Sequence, residues 1–536
     1  RGVWVCLLSL SNEGGMATWL PCALGVLASL VRPAWAAAQE APAVPLELLP
    51  LRTSGRWILD NKGQRFRLRC VNWYGASGEL HVVHGLHKRT LQELVSELRG
   101  WGVNCVRLPF SLELFFDNPP VPAHALAADP LKARTNLTGL EAYDAAVEAI
   151  TAAGLLVLVD NHSSDSGWCC KIGAPDGVWF TAKHSEEHWI EALVAMARRF
   201  RGNPRVFGVD LRNEVRDTGS VQTVWGESFS GVQEGKAVAD WPAAAERAGN
   251  AILAENPELL VLVTGLCFGQ DLRGARSRPV ELSVPGRLVW TVHSYHWYFW
   301  FHDTEAKEAS GRPVVATCAS WRASVDVCLV FLAVVGLLLL LVGQLIQVPA
   351  CADLQQRERY PWNVSGIVVV IAASLGVVLC WLVRRRVGRR TTEGASPAEA
   401  RGNEHRWRCG RSRAYVLPSL CCLALASTAL AVLLFPNPDW QVSAQLDRHW
   451  GFVLEEGRAY TAPVLLGEFG TKVRSAFWVG LVEYVAQRQL GFAYWPFNGE
   501  RWIHNEDRWR DAPYGLLDES WTTVRHDWKL SDLAKA

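Results

Sequence analysis

Eight short apolar runs punctuate this chain, at residues 66–74, 103–109, 155–160, 206–211, 259–265, 288–295, 464–467 and 492–496. Amphipathic stretches with the helical period fall between them, at 89–100, 140–153, 186–200, 239–256 and 472–489. Short buried-strand runs alternating with helical patterns are the signature of βα units and a parallel sheet. Eight of them predict an α/β fold, a (β/α)₈ TIM barrel, in which reactive groups sit at the C-terminal ends of the strands.

The alternation breaks between the sixth and seventh runs, where an insertion over 303–447 has another character. It holds apolar segments at 327–343, 364–383 and 414–435, and the last two run 20 and 22 residues without a charge. That length spans a bilayer. Ten arginines stand against three glutamates between residues 384 and 413, a bias that puts this loop on the cytoplasmic side. Strands on both sides of the insertion must share one side of the membrane to close one barrel. An even number of crossings follows, so 364–383 and 414–435 form the expected pair, with the barrel on the extracellular or lumenal side. If the insertion is a gene-model artefact, the barrel is expected to be secreted.

The remaining boundaries follow from composition. Residues 1–44 read as a leader: Met16 opens an apolar run over 19–31 that ends at Arg32-Pro-Ala34-Trp-Ala36-Ala-Ala38. Small residues at that spacing resemble a signal-peptide cleavage site, with an uncleaved anchor as the alternative. The barrel is then expected over 45–302 (strands one to six) and 448–536 (strands seven and eight with a tail). The 54 basic residues against 53 acidic ones give a net charge of +1, which excludes a nucleic-acid partner driven by charge. The 14 cysteines show no paired zinc-ligand spacing, so no metal is expected, while one or two disulfides of unreadable connectivity are. Cys169 and Cys170 are candidates for a disulfide to a neighbouring loop or for packed thiols. The 26 tryptophans exceed the usual share; most are expected to fill core, and others offer flat faces to sugar rings.

Two runs end on a lone glutamate: Gly208-Val-Asp-Leu-Arg-Asn213-Glu214 and Val464-Leu-Leu-Gly-Glu468-Phe-Gly470. A carboxylate at the end of a hydrophobic strand is costly to desolvate and adds nothing to packing, so function explains it better. Two glutamates facing one cleft are the minimal equipment for cleaving a glycosidic bond with retention of configuration.

The strand ends then become specific. In order they read Cys70-Val-Asn72-Trp73-Tyr74, Asn104-Cys-Val-Arg107-Leu-Pro109, Asp160-Asn161-His162 with Gly167-Trp168-Cys169-Cys170, and Leu211-Arg212-Asn213-Glu214. They continue with His293-Ser-Tyr295, Gly467-Glu468-Phe469-Gly470 and Tyr494-Trp495. This set resembles glycoside hydrolase family 5, the cellulase family, and its plant-like members most. The likeness covers about 55–302 and 450–500.

The resemblance implies a retaining hydrolase of β-glycosidic bonds with no cofactor and with a polysaccharide or oligosaccharide as partner. Glu214 is the expected acid/base, its pKa raised by burial and by the charge of Glu468. Glu468 is the expected nucleophile, held ionised by Arg107. Asn213 is placed to donate to the sugar 2-hydroxyl. His293 and Tyr295, two apart in a strand, face the same way, Tyr295 onto the nucleophile and His293 onto the acid/base or substrate. His162 lines the floor and Trp495 offers a platform for the sugar at the cleaved position. The overlapping His296-Trp-Tyr298 repeats the spacing of His293 and Tyr295. The expected substrate is a β-1,4-glucan, with a mannan or a glycolipid as alternatives on the same fold. A carbohydrate-binding barrel without catalysis is the reading from another class.

Overall fold

The computed structural model describes residues 43–171, 173–226, 235–295 and 438–536. Residues 1–42 of the leader, the three apolar segments of the insertion and the overlapping His296-Trp-Tyr298 therefore lie outside the described residues. Among the described residues no helix is long and apolar enough to cross a membrane.

Eight parallel strands close into a barrel: β1 (Arg69–Asn72), β2 (Cys105–Ser111), β3 (Leu156–Ser163), β4 (Val206–Asp210), β5 (Leu260–Thr264), β6 (Leu288–Ser294), β7 (Val464–Phe469) and β8 (Gly491–Tyr494). Each pairs with its neighbours in chain order, and β8 returns to β1 with Phe492 opposite Arg69. The helices of ten residues or more among the described residues are α1 (Leu91–Gly100), α2 (Gly139–Ala152), α3 (Glu186–Arg199), α4 (Trp241–Glu255), α5 (Pro438–His449) and α6 (Ala476–Arg488). All eight expected strands and all five expected helices are present. Helix α5 begins inside the residues assigned to the insertion, so the barrel resumes by Pro438 rather than at 448.

Local chemistry accounts for the helices. Thr90 caps α1 by accepting from the Glu93 amide while Glu93 reaches back to Thr90, and Thr138 with Glu141 repeats this capping box on α2. Such caps contribute about 1 kcal/mol each. On α1 the residues Leu91, Leu94, Val95 and Leu98 fall on one stripe and are all buried. Each contributes roughly 1.5–3 kcal/mol by leaving water.

Side-chain parity along the strands separates two cores. Leu156 and Leu158, Leu260 and Leu262, Cys70, Cys105 and Leu465 fill the barrel interior. Val157 and Val159, Val261 and Val263, and Val464 and Leu466 pack outward against the helices. Val44, Leu49, Leu51, Ile58 and Leu68 join the inner cluster. They come from the segment that carries a short hairpin (Arg52–Ser54 with Trp57–Leu59) and that leads into the N-terminal end of β1, so they plug that end of the barrel. Inner residues nearer the C-terminal ends switch from apolar to polar: after Leu156 and Leu158 come Asp160 and His162, and after Cys105 comes Arg107.

Two disulfides stand among the described residues. Cys70–Cys105 joins β1 to β2 inside the barrel. Cys169 bonds to Cys170 itself, neither reaching a neighbouring loop nor remaining a thiol.

Candidate active site

Arg107 organises the C-terminal end of the barrel. Fully buried, it donates to Asp210 Oδ2 at 3.0 Å and to Asp160 Oδ1, Glu468 Oε1, Asn72 Oδ1 and Asn213 Oδ1 at 2.9 Å each. Burial opposes its charge, but Asp160, Asp210 and Glu468 together raise its pKa. One guanidinium facing three carboxylates leaves an excess of negative charge. Asp160 is held low by Arg107 and His162 against the cost of burial, whereas burial pushes Asp210 up and the charge of Asp160 adds to the rise. Of the two aspartates, Asp210 is the one pushed toward its neutral form. Replacing Arg107 with Met is expected to remove about 3–5 kcal/mol of stability, because the buried carboxylates lose their counter-charge. Urea unfolding reads this as a lower midpoint; an unchanged midpoint would contradict the account.

Glu468 reaches the site by a break in strand register. Leu465 points into the barrel, so strict alternation would turn Gly467 inward and Glu468 outward. Instead Val292 pairs with Leu466 while His293 pairs with Glu468, a β-bulge that absorbs Gly467 and re-aims the glutamate. A Cβ at Gly467 would collide with Thr291 Oγ1, and one at Gly470 with the carbonyl of Trp495, so both positions require glycine. Besides Arg107, Glu468 accepts a hydrogen bond from Tyr295 Oη at 3.0 Å on Oε2. Tyr295 lies just past the end of β6 rather than within it, and it stacks on Tyr514.

Glu214 does not close β4. The strand ends at Asp210, and Asn213-Glu214 occupy a turn in which Glu214 takes φ of 48°, a left-handed conformation costing a non-glycine residue about 1–3 kcal/mol. Arg216 holds the turn by donating to the Glu214 carbonyl at 2.9 Å and pairing with Asp176 at 2.8 Å. The Asn213 backbone N–H donates to the Asn161 backbone carbonyl at 2.9 Å. Burial raises the Glu214 pKa to about 7 against the opposing charges of Arg216, His162 and Arg107, and Asp176 adds to the rise. The principal cause is the expected one, but the carboxylate that assists is Asp176, where the sequence pointed to Glu468.

The eight residues singled out in the sequence converge. His293 Nδ1 stands 3.0 Å from Glu214 Oε1 and 3.7 Å from Glu468 Oε2. Burial lowers its pKa to about 4, so the ring is neutral near pH 7. Nδ1 can then carry the proton toward Glu214. His162 lies 2.7 Å from Asp160 and stacks on Trp495 with ring planes 2° apart. Trp495, Tyr74 and Tyr295 form one buried aromatic cluster beside them, and Trp168, 46% exposed, packs edge-on against Tyr74 and Trp495. Acceptor atoms of Glu214, His293 and Glu468 all lie within 4.8 Å of one another.

The sequence reading assigned no role to Asn72, Asp160, Asp210, Arg212 or Arg216. Arg212 is fully buried, and it ties the β3 end to the turn after β4 through Asn161 Oδ1 at 3.0 Å and Ser164 Oγ at 3.1 Å. The parity that sets Asp160 and Arg107 inward was readable; the partners brought by the turn were not.

A profile of the family described as Cellulase (glycosyl hydrolase family 5) matches residues 59–333, half of the chain. An endoglucanase of Paenibacillus polymyxa is 31% identical over 254 residues, covering 45% of this chain and 59% of the relative. A glycosyl hydrolase 5 family protein of Chamaecyparis obtusa is 32% identical over 274 residues, 48% of this chain and 45% of the relative. The chain thus spans about half the length of these curated relatives. Among solved structures, the catalytic domain of the major endoglucanase of Xanthomonas campestris superposes with a TM-score of 0.53 at 21% identity, covering 90% of this chain and 99% of that one. A hyperthermophilic endocellulase of Pyrococcus horikoshii gives 0.54 at 20% identity, with 91% and 98% covered. At such identity these two structures speak for the barrel alone, whereas the profile spans half the sequence, and on that ground the chain belongs to glycosyl hydrolase family 5.

Proposed function

We propose that this chain hydrolyses β-1,4-glucans as a retaining endoglucanase. One observation carries the reading: a carboxyl oxygen of Glu214 and one of Glu468 lie within 4.8 Å of each other. Retention needs carboxyls about 5–5.5 Å apart, and inversion about 6.5–9.5 Å to admit a water between them. Glu468, oriented by Arg107 and Tyr295, attacks the anomeric carbon while protonated Glu214 gives its proton to the leaving oxygen. Ionised Glu214 then takes a proton from the incoming water, whose oxygen attacks the same carbon and frees Glu468. Asn213, its Oδ1 fixed by Arg107, presents its Nδ2 to the 2-hydroxyl. Trp495 and Trp168 supply apolar faces for sugar rings.

The choice of glucan follows the endoglucanases among the relatives and a Pyrococcus horikoshii endocellulase solved with cellotetraose. The two disulfides support an oxidising compartment, outside the cytosol. Attachment to a membrane rests on the sequence of residues 364–383 and 414–435 alone. Proton NMR during cellopentaose hydrolysis tests the reading. The β-anomer is expected first, with the α-anomer growing in only by mutarotation; immediate α-anomer, or no cleavage, would refute it.

A further inference from the structure

The loop after β3 places the Cys169–Cys170 disulfide against the site. A bridge between adjacent residues closes no loop in the unfolded chain, so the usual entropic reason for a disulfide is missing. Its surroundings supply another. Both sulfurs lie within 4.8 Å of a Glu214 carboxyl oxygen, and the two cysteines are only half-buried. Asn213 Nδ2 points at both, 3.5 Å from Cys169 Sγ and 3.4 Å from Cys170 Sγ. Its other end is fixed, because Oδ1 accepts from Arg107 at 2.9 Å. Sulfur is a weak acceptor. The two sulfurs therefore aim the amide without saturating it, and a sugar hydroxyl can take an N–H from them at little cost.

We propose that the Cys169–Cys170 disulfide walls the cleavage subsite at C2 of the sugar and holds the Asn213 amide for a 2-hydroxyl, so that it sets a preference for 2-hydroxy pyranosides. The inference rests on the hydrolase reading. The two sulfurs act through Asn213 and are positioning groups. Reduced, they would become two separate thiols free to rotate apart, and the amide would lose its direction.

The test compares aryl β-cellobiosides that carry either a hydroxyl or a hydrogen at C2 of the ring bearing the aryl group. The ratio of kcat/KM for the two is measured for the native chain, for the chain treated with a water-soluble phosphine, and for the double variant Cys169→Ser, Cys170→Ser. Phosphine takes oxygen from water and leaves one hydrogen on each sulfur. The Cys70–Cys105 bridge is wholly buried, so peptide mapping after alkylation is expected to find new thiols at Cys169 and Cys170 first. Cys170 adopts φ of 86°, which burdens any substitution there, and the phosphine arm avoids that problem. The expected result is a ratio about tenfold lower in both the treated and the doubly substituted chains, with no further fall when Asn213→Ala is treated. An equal loss on both substrates would reduce the disulfide to general support and overturn the proposal, as would an unchanged ratio. A native chain inert on both substrates would overturn the hydrolase reading, and the subsite with it.

Discussion

Glu468→Gln is expected to lower kcat/KM on an aryl β-cellobioside by about 10⁴-fold or more. The amide keeps the shape of the carboxylate and can still accept from Arg107, but it has no lone pair basic enough to attack an anomeric carbon. Folding should survive, because Arg107 retains Asp160 and Asp210 as partners. A thermal midpoint near that of the native chain, together with lost turnover, is the expected pair of results. Turnover within tenfold of native would remove Glu468 as nucleophile.

The second large effect concerns the proton on Glu214. A pKa of about 7, raised mainly by burial, leaves the group protonated below that pH and ionised above it. The free enzyme is competent for the first step only with the proton in place. On oligosaccharides kcat/KM is therefore expected to fall tenfold per pH unit above about pH 7. Glu214→Gln should abolish this limb and reduce oligosaccharide cleavage by roughly 10²–10⁴-fold. A dinitrophenyl leaving group needs no protonation, so it should still load Glu468 in that variant. Without a base to activate water, the glycosyl-enzyme should accumulate and appear as a mass increment of one glycosyl unit. A pH profile that keeps its basic limb in Glu214→Gln would assign the titration to another group.

The barrel was legible because strand and helix periods are local properties of the chain. All eight strands lie where apolar runs occur, and their ends move by only a few residues, as at β1, which starts at Arg69 rather than 66. The membership of the site was legible for a related reason: strand ends of a closed barrel meet whatever their distance in sequence. Orientation was not. Alternation counted along β7 alone sends Glu468 the wrong way, and its pairing with β6 and β8 reveals the bulge at Gly467. The left-handed turn at Glu214 depends on Arg216 and Asp176, whose meeting is a tertiary event. The bond between Cys169 and Cys170 was missed for a different reason. Neighbouring cysteines seldom pair, so reasoning from spacing looks for more distant partners.

The plug formed by Val44, Leu49, Leu51, Ile58 and Leu68 closes the barrel at the end away from the glutamates. The barrel therefore has a sealed pole that contributes apolar stability, opposite the pole that carries the chemistry. Selection can soften or harden the sealed pole, altering how long a molecule persists, while the pole that meets sugar keeps its geometry. Engineering for heat resistance can begin there without touching a single group that handles substrate.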